Sequence, residues 1–396
     1  LDKSEYTDDK LDKSEYTDDK LDKSEYTDDK LDKSEYTDDK LSEDTSLIEV
    51  GPAINNYEKI DIIQSGSLYP SVVKAVSQIS QELNFNIAYF GRATLGMVSI
   101  IKEDGTVNQI VKEGYSIPIS VFTVNKDVSG YFYGKQISYA LKKNLAIVSK
   151  ITAERHNLVV GDKISFMSDT GDDNSLVIGL IVPDKQINWT EILISRDLGY
   201  EFDIYRIKKA TMWGNKIDEK LYIELYKNIK TKKIQYLKKT DANKGDWILP
   251  AALLKNEFGE FGVKNRDSNG KWVNVDPDWK SENIETKNLP IIGTTTCNKR
   301  MWEPLEGALN QIIEEGLSHT LSKSEYYSTG GCYAPRRITR VNAGGALSRH
   351  TWGIAIDINT KSKYHPRVIE IFKEWGFAWG GTWTSPDPMH FELRDP

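Results

Sequence analysis

The chain has 396 residues and a formal net charge of −7, from 52 basic and 59 acidic residues. Its first 40 residues are four copies of LDKSEYTDDK, which hold 16 acids and 8 bases, so residues 41–396 keep 44 bases and 43 acids. This near-neutral body argues against nucleic-acid binding driven by bulk charge. The 39% hydrophobic content excludes a fully disordered chain, and no apolar run approaches a membrane span of about 18 residues.

The repeats place an apolar side chain at every fifth residue, as at Leu1, Tyr6, Leu11 and Tyr16. Five residues advance a helix by roughly 500°, and an odd spacing alternates between the faces of a strand. Neither regular structure can bury these side chains together, so we expect residues 1–44 to be a disordered acidic spacer. A solenoid of decapeptides is the alternative, but solenoid repeats carry more apolar residues per unit.

Residues 45–244 are predicted to form a mixed α/β accessory domain that is rich in strands. Valine and isoleucine at three- and four-residue spacings predict a helix over Tyr69–Leu83. Leu158–Phe166 is predicted as a strand, a tight turn and a second strand. His156 precedes that segment in a polar stretch and is predicted to be a surface residue and not a metal ligand. Further strands are predicted at Asn86–Phe90, Met97–Ile101, Ile117–Val124 and Leu176–Val182.

Residues 245–396 follow a polar linker at Lys238–Trp247 and carry most of the recognisable chemistry. Helices are predicted at Trp302–Leu317 and Pro366–Trp375 from their apolar periodicity. Short strands are predicted at Gly353–Ile358 and Met389–Leu393, each with alternate residues directed to the core. The fold class expected from these elements is α+β.

The two short strands direct polar side chains away from their apolar faces. Asp357 lies on the first strand and His390 on the second, while His350 precedes the first strand. If the strands are neighbours, two imidazoles and a carboxylate converge, which is the protein ligand set of a catalytic zinc site. Asp387, in a rigid Pro-Asp-Pro turn, is a candidate general base for metal-bound water. The alternative is that these are ordinary polar residues of turns and strands.

Cys297 and Cys332 are the only cysteines, which excludes a disulfide-dense scaffold and a CxxC metal knuckle. Two buried free thiols and a single disulfide both remain open, and the disulfide requires an exported protein.

The motifs around the proposed ligands are those of a known family. The segment LSRHTWGIAIDIN fits S-x-H-x-x-G-x-A-x-D, and WGGTWTSPDPMHFE fits W-G-G-x-W followed by D-x-x-H-F-E. Together they resemble the VanY-like D-alanyl-D-alanine carboxypeptidase and L-alanyl-D-glutamate endopeptidase family of zinc peptidases. The resemblance covers roughly residues 289–396. Upstream, GGCYAPR at 330–336 is similar to a variant of the family's substrate-arginine segment.

The resemblance implies a role for each matched residue. His350, Asp357 and His390 would bind one Zn²⁺ per chain, and Asp387 would activate its water. Arg336 would bind a substrate carboxylate or the developing oxyanion, although Arg337 and Arg340 are close in sequence. Predicted substrate-site residues are Ser348 and Trp352, which would order the ligand loop, and Trp383, which could line the groove or pack inside, as could Trp379. A Cys297–Cys332 bond would preset the position of Arg336.

The sequence therefore predicts a C-terminal zinc-peptidase domain with a small antiparallel sheet flanked by helices. The expected substrate is the stem peptide of peptidoglycan, cleaved as a carboxypeptidase or as an endopeptidase, in an extracytoplasmic location in a bacterium. No nucleic-acid partner is expected. Association with membrane or wall would come from the accessory domain or from residues before Leu1. The alternative function is a zinc-fold binding or signalling module of the cell surface that does not hydrolyse its ligand.

Overall fold

The computed structural model describes most of the chain after residue 53. The described ranges are 57–63, 66–167, 174–214, 236–239, 248–268, 270–321, 331–338, 345–359, 363–383 and 386–394, with single positions at 54, 223 and 227. The predicted repeat spacer and most of the predicted linker lie outside these residues.

Residues 54–239, the N-terminal half, are dominated by one large sheet. The strands are β1 (Glu58–Ile63), β2 (Asn86–Ile101), β3 (Val107–Gln109), β4 (Ile117–Val124), β5 (Ala146–Ser149), β6 (Lys163–Phe166), β7 (Asn174–Val182), β8 (Ile192–Ser195), β9 (Ile207–Gly214) and β10 (Tyr236–Lys239). The helices are α1 (Pro70–Glu82), α2 (Ser129–Tyr133), α3 (Lys135–Lys142), α4 (Lys150–His156) and α5 (Arg196–Glu201).

The large sheet closes on itself through its longest strand. Its order is β10-β1-β9-β2-β4-β8-β5-β7-β6, and β2 also pairs with β6. Strands β2, β4, β8, β5, β7 and β6 therefore form a closed, barrel-like ring, which removes the exposed edges that an open sheet would present. Strand β3 pairs with β2 outside the ring.

Several predicted elements of this half are present, with shifted ends. The predicted helix at Tyr69–Leu83 is α1, with Pro70 in its first turn, where its missing N–H costs no hydrogen bond. The strands predicted at Asn86–Phe90 and Met97–Ile101 are parts of the single strand β2. The prediction of a strand at the start of Leu158–Phe166 was wrong, because the Asp162 carboxylate accepts a hydrogen bond of 3.0 Å from the Val159 N–H and closes a turn there.

Residues 248–394, the C-terminal half, carry smaller sheets and four further helices within the described residues. The helices are α6 (Ala251–Phe258), α7 (Pro277–Asn283), α8 (Trp302–Glu314) and α9 (Pro366–Glu374). The strands are β11 (Val263–Asn265), β12 (Val273–Val275), β13 (Ile284–Leu289), β14 (Gly293–Asn298), β15 (Ala355–Asp357), β16 (Phe377–Trp379) and β17 (His390–Leu393). Strands β11–β12 and β13–β14 form antiparallel pairs, and β15, β17 and β16 form a three-stranded sheet in that order.

The three-stranded sheet packs on helices through an apolar face. Phe391 on β17 and Phe372 on α9 stack with ring centroids 4.4 Å apart, and both side chains are fully buried. Leu305, Leu309 and Ile312 of α8 belong to the same buried cluster. The α+β class, the two helices and the small antiparallel sheet predicted for this part of the chain are therefore present, with both strands shorter than predicted.

The two halves contact each other through backbone pairing and a buried ionic cluster. Ser116 exchanges two backbone hydrogen bonds of 2.9 Å with Val263. The Lys255 ammonium lies 2.7 Å from Glu191 Oε1 and 2.9 Å from Glu260 Oε1. Residues 50–396 accordingly form one compact unit. The division into domains at 45–244 and 245–396 stays a prediction.

The ionic cluster corrects the prediction for His156. Its side chain is only 7% exposed, and Nε2 lies 2.9 Å from Glu260 Oε2. The sequence pattern around His156 is polar, but Glu260 comes from the other half of the chain and covers the imidazole. His156 is therefore a buried partner in the contact between the halves and not a surface residue.

Candidate metal centre

The three-stranded sheet brings two of the predicted ligands together. Strands β15 and β17 run antiparallel, with Asp357 directly opposite His390. Because side chains alternate across a sheet, two directly paired residues face the same side. His390 Nδ1 lies 2.9 Å from Asp357 Oδ1. The pairing of these strands thus brings together two of the three predicted ligands, and the third comes from a loop.

His350 comes from the turn Arg349–Thr351, just before β15. The turn is fixed by Gly353, whose φ of +68° is favourable only for glycine, and a Cβ there would lie 2.7 Å from the backbone nitrogen of Asn298. The Gly353 carbonyl accepts a hydrogen bond of 2.9 Å from that same nitrogen. The glycine of the S-x-H-x-x-G motif therefore lets the histidine turn dock on the end of β14.

His350, Asp357 and His390, the metal triad, have the geometry and the environment of a metal site. One ligand atom of each residue lies within 4.8 Å of the others, and all three residues are buried. His350 Nε2 lies 3.2 Å from Asp357 Oδ1 but makes no hydrogen bond, although it is buried. A buried ring nitrogen without a hydrogen bond, facing a carboxylate and a second imidazole, fits a divalent cation such as Zn²⁺.

The outer nitrogen of each imidazole has a partner that fixes the ring. His350 Nδ1 lies 2.9 Å from the backbone oxygen of Cys332, and His390 Nε2 lies 3.2 Å from Glu392 Oε2. Glu392 Oε1 in turn lies 3.5 Å from Nε of Arg349. Such partners set which ring nitrogen is free to bind a metal, so His350 would use Nε2 and His390 would use Nδ1.

The charged groups of the triad shift one another's pKa in opposite directions. Burial opposes ionisation of Asp357, but the close contact with His350, the hydrogen bond with His390 and the charge of both imidazoles outweigh it and hold the pKa of Asp357 well below its usual range. Burial likewise opposes protonation of His390, yet Asp357 and Glu392 raise the pKa of His390 to about 9. The raised pKa of His390 therefore favours its imidazolium form in the metal-free protein.

Asp387 lies in the turn that precedes β17. Its backbone N–H donates a hydrogen bond of 3.0 Å to the Gly380 carbonyl, and its own carbonyl accepts one of 3.1 Å from the His390 N–H. Burial raises the pKa of Asp387, and the charge on His390 opposes this shift. A carboxyl group beside the metal ligands with a raised pKa suits proton transfer near neutral pH.

The structure separates the candidate arginines. Arg336 has Nη2 at 3.7 Å from Asp357 Oδ2, and its side chain is 21% exposed. Arg337 is buried, and it donates a hydrogen bond of 2.9 Å to the Gly345 carbonyl, which is a structural contact. Arg340 lies outside the described residues. Among the described arginines of this segment, Arg336 is the one whose charged group borders the triad.

The predicted substrate residues lie at different depths. Ser348 is 7% exposed and Trp352 is 4% exposed. Trp352 donates a hydrogen bond of 3.0 Å to the Gly259 carbonyl and packs on Phe261 with ring centroids 4.8 Å apart. Their burial favours ordering of the ligand loop over contact with a substrate.

Trp383 lies at the triad itself. Its ring centroid is 5.2 Å from that of His390, its side chain is half-buried, and its Nε1 has no hydrogen-bond partner. Trp379 instead donates a hydrogen bond of 2.8 Å to the Pro388 carbonyl, which supports the turn that holds Asp387.

Cys297 and Cys332 are joined by a disulfide bond, with Cα atoms 5.4 Å apart. Cys297 is the penultimate residue of β14 and Cys332 precedes Arg336, so the bond ties the arginine segment, residues 331–338, to β14. Two groups of the site were not predicted from the sequence, namely the Cys332 carbonyl and the Glu392 carboxylate. The H-F-E motif was the only sequence signal for Glu392, and a backbone carbonyl leaves no signal in a sequence.

A comparison with family models matches residues 342–393 to the D-alanyl-D-alanine carboxypeptidase family. The matched segment contains the metal triad, Asp387 and Glu392, and it ends at the last residue of β17. It confirms the family resemblance of the C-terminal motifs and supports a peptidase. Among the described residues, no helix is both long and apolar enough to cross a membrane.

Proposed function

We propose that this chain is a zinc-dependent peptidase that hydrolyses an amide bond in the stem peptides of peptidoglycan. The observation that carries the proposal is the buried triad of His350, Asp357 and His390, with a ring nitrogen that lacks a hydrogen bond, inside the segment that matches the carboxypeptidase family. Two imidazoles and one carboxylate leave a fourth position open for water, as in other catalytic zinc sites.

Metal binding and proton transfer are assigned to different residues of the proposed site. When bound, Zn²⁺ would lower the pKa of its coordinated water to about 7 and polarise the scissile carbonyl group of the substrate. His350 Nε2, His390 Nδ1 and the Asp357 carboxylate would hold the ion. Asp387 takes the proton of the attacking water and returns it to the leaving amine, a dual role that its raised pKa favours.

Arg336 is proposed to bind the negative charge of the substrate. Its guanidinium borders Asp357 and is partly exposed, so a carboxylate or a developing oxyanion can reach it from solvent. Trp383, which packs against His390, would form one wall of the groove that holds the peptide. The groove then has a cationic end and an aromatic side, which suits a short peptide with a free or side-chain carboxylate.

The decisive experiment is digestion of purified peptidoglycan, followed by mass spectrometry of the products. A carboxypeptidase releases free D-alanine from the end of the stem peptide, whereas an L-alanyl-D-glutamate endopeptidase cuts the stem near its origin. We expect one of these products from the zinc-loaded protein and neither after chelation.

The matched control is Asp387→Ala, which removes the proposed base but no metal ligand. This variant should retain stoichiometric zinc and lose hydrolysis. A wild-type protein that binds zinc and stem peptides but releases no product would instead establish a binding or signalling module.

The proposed substrate implies an extracytoplasmic location, at the wall or membrane of a bacterium. The acidic repeats at residues 1–40 would then act as a spacer that lets the site reach an immobile polymer. Deletion of these residues should lower activity on intact cell walls and leave activity on soluble stem peptides unchanged. Activity on intact cell walls that the deletion leaves unchanged would contradict the spacer role.

A further inference from the structure

The arginine segment is held mainly by its surroundings and not by its own secondary structure. Residues 331–338 form no helix or extended strand, and only isolated bridge pairs occur at Arg336 and Arg337. Two backbone hydrogen bonds tie its start to neighbouring elements: Tyr333 N–H donates to the Thr296 carbonyl at 2.9 Å, and Ala334 N–H donates to the His350 carbonyl at 3.0 Å. The covalent tie is the bond between Cys332 and Cys297.

The same cysteine supplies the carbonyl that orients a proposed metal ligand. His350 Nδ1 lies 2.9 Å from the Cys332 oxygen, and both residues are only 1% exposed. For Nε2 to bind a cation, Nδ1 must carry the proton and donate it to an acceptor. Water has little access to this buried nitrogen, so the Cys332 carbonyl is the acceptor that selects the tautomer.

We propose that the Cys297–Cys332 disulfide is a positioning device for the metal site, which acts on His350 through the Cys332 carbonyl. This inference rests on the proposed zinc site. Strand β14 pairs with β13 along its whole length, from Gly293 opposite Leu289 to Asn298 opposite Ile284. The disulfide therefore fixes Cys332 against an ordered element. Without the bond, the Cys332–Tyr333 peptide group would be held to β14 by hydrogen bonding alone, through the Tyr333 N–H and the Thr296 carbonyl. His350 would then sample both tautomers and other ring orientations.

The test is the zinc affinity of a Cys297→Ala/Cys332→Ala double variant, measured by competition with a chelator of known affinity. Alanine keeps the backbone carbonyl of residue 332 and introduces no free thiol that could itself bind zinc. We expect zinc binding to weaken by about 10- to 100-fold, the range found when the partner of a ligating histidine is lost. Arg336 lies on the same segment, so the variant should also show a raised KM.

The control must separate positioning from a general loss of stability, because removal of a disulfide also destabilises the fold. Ile312→Ala opens a cavity in the same hydrophobic cluster, on α8, a helix that contributes no residue to the segment or to the triad. At a temperature where both variants are folded, Ile312→Ala should bind zinc as the wild type does. Equal affinity of the double variant and the wild type, within twofold, would overturn the inference and leave the disulfide a purely structural bond.

A second measurement reports on His350 directly. In the zinc-loaded wild type, the proton on Nδ1 of His350 is buried and hydrogen-bonded, so it should exchange slowly and give a resolved signal in NMR of ¹⁵N-histidine-labelled protein. In the double variant this signal should broaden or vanish, and in Ile312→Ala it should persist. A wild type that binds no zinc would refute the proposed function itself, whereas an unchanged double variant refutes only the positioning role.

Discussion

The residues of the metal triad hold a proton where the cation would lie. In the metal-free protein Asp357 and Glu392 raise the pKa of His390 to about 9, above its usual 6.5, so the imidazolium predominates at neutral pH. A ligating imidazole must be neutral, and metal binding therefore competes with this proton. The two carboxylates that orient His390 thus also make zinc affinity depend on pH.

We predict that zinc binding at pH 7 releases about one proton per chain. Because the shifted pKa of His390 lies above 7, zinc affinity should fall steadily as the pH is lowered from 9 to 6. Above pH 9 the contribution of His390 disappears, and only the proton of the zinc-bound water is still released. Calorimetric titration in buffers of different ionisation enthalpy measures the number of protons directly. Zinc binding without proton release at pH 7 would show that His390 is neutral in the metal-free protein.

The Glu392 carboxylate gives a second test at this scale. It lies between His390 and Arg349, with oxygens 3.2 Å and 3.5 Å from their nitrogens. Glu392→Leu removes the acceptor for His390 Nε2 and should weaken zinc binding by about 10- to 100-fold. Glu392→Gln keeps an oxygen that can accept the bond and should lose much less, and similar losses in both variants would argue for a purely electrostatic role.

The ligand residues could be predicted from the sequence because strand alternation is a local rule. Asp357 and His390 each lie between apolar neighbours, and this pattern alone directs both side chains away from the core. The partners of the imidazoles were not predictable. The Cys332 carbonyl reaches His350 only through a segment without periodicity, and His156 finds Glu260 only when the two halves of the chain pack together.

Among the elements, the turn that carries Asp387 depends on a close approach of two backbones. A Cβ at Gly380 would lie 2.5 Å from the Asp387 carbonyl oxygen and 3.3 Å from Cβ of His390. The same turn is held by the hydrogen bond from the Asp387 N–H to the Gly380 carbonyl. The first glycine of the W-G-G motif, Gly380, is therefore required by the position of the proposed base, which the sequence pattern did not explain.

We predict that Gly380→Ala displaces Asp387 and lowers kcat more than it lowers zinc affinity, since Asp357 and His350 are untouched. The forced contact should also cost about 1–3 kcal/mol of unfolding free energy. Gly130→Ala is the matched control, because a Cβ there meets Ser138 at an ordinary 3.5 Å. The kinetics of stem-peptide cleavage and urea denaturation of both variants provide the measurement. Wild-type kcat in Gly380→Ala would mean that the turn can move without loss of function.

Elements were predicted best where a pattern extends over several turns or a proline marks an end. Helices α8 and α9 follow the apolar spacing and begin at the predicted residues, Trp302 and Pro366. The closure of the barrel-like ring was not predictable, because the β2–β6 pairing joins strands whose own sequences carry no signal for their partner. Short strands such as β15 also end earlier than predicted, since pairing with β17 and not alternation sets their length.

At the scale of the whole molecule, the two halves are joined by charges that are buried together. Glu191 is fully buried, and its carboxylate accepts hydrogen bonds from the Ser120 N–H, at 2.8 Å, and from the Lys255 ammonium, at 2.7 Å. Lys255 also donates a hydrogen bond of 2.7 Å to the Pro118 carbonyl. Burial opposes ionisation of Glu260, but Lys255 and His156 overcome it and hold the pKa of Glu260 well below its usual range.

We predict that Lys255→Met destabilises the protein by about 3–5 kcal/mol, because it removes the ammonium group that is hydrogen-bonded to the buried Glu191 carboxylate and leaves only the more distant Arg155 guanidinium, at 3.8 Å. The double variant Lys255→Met/Glu191→Gln removes both charges and should recover part of this loss, as expected for residues that act as a pair. Lys112→Met is the matched control, since Lys112 also joins the halves, through Asp278, but both side chains are more than half exposed. Its urea midpoint should match that of the wild type. The losses of unfolding free energy from Lys255→Met and Glu191→Gln could instead simply add in the double variant. The two charges would then not be coupled, and the halves would be held together by the Ser116–Val263 pairing and apolar contacts.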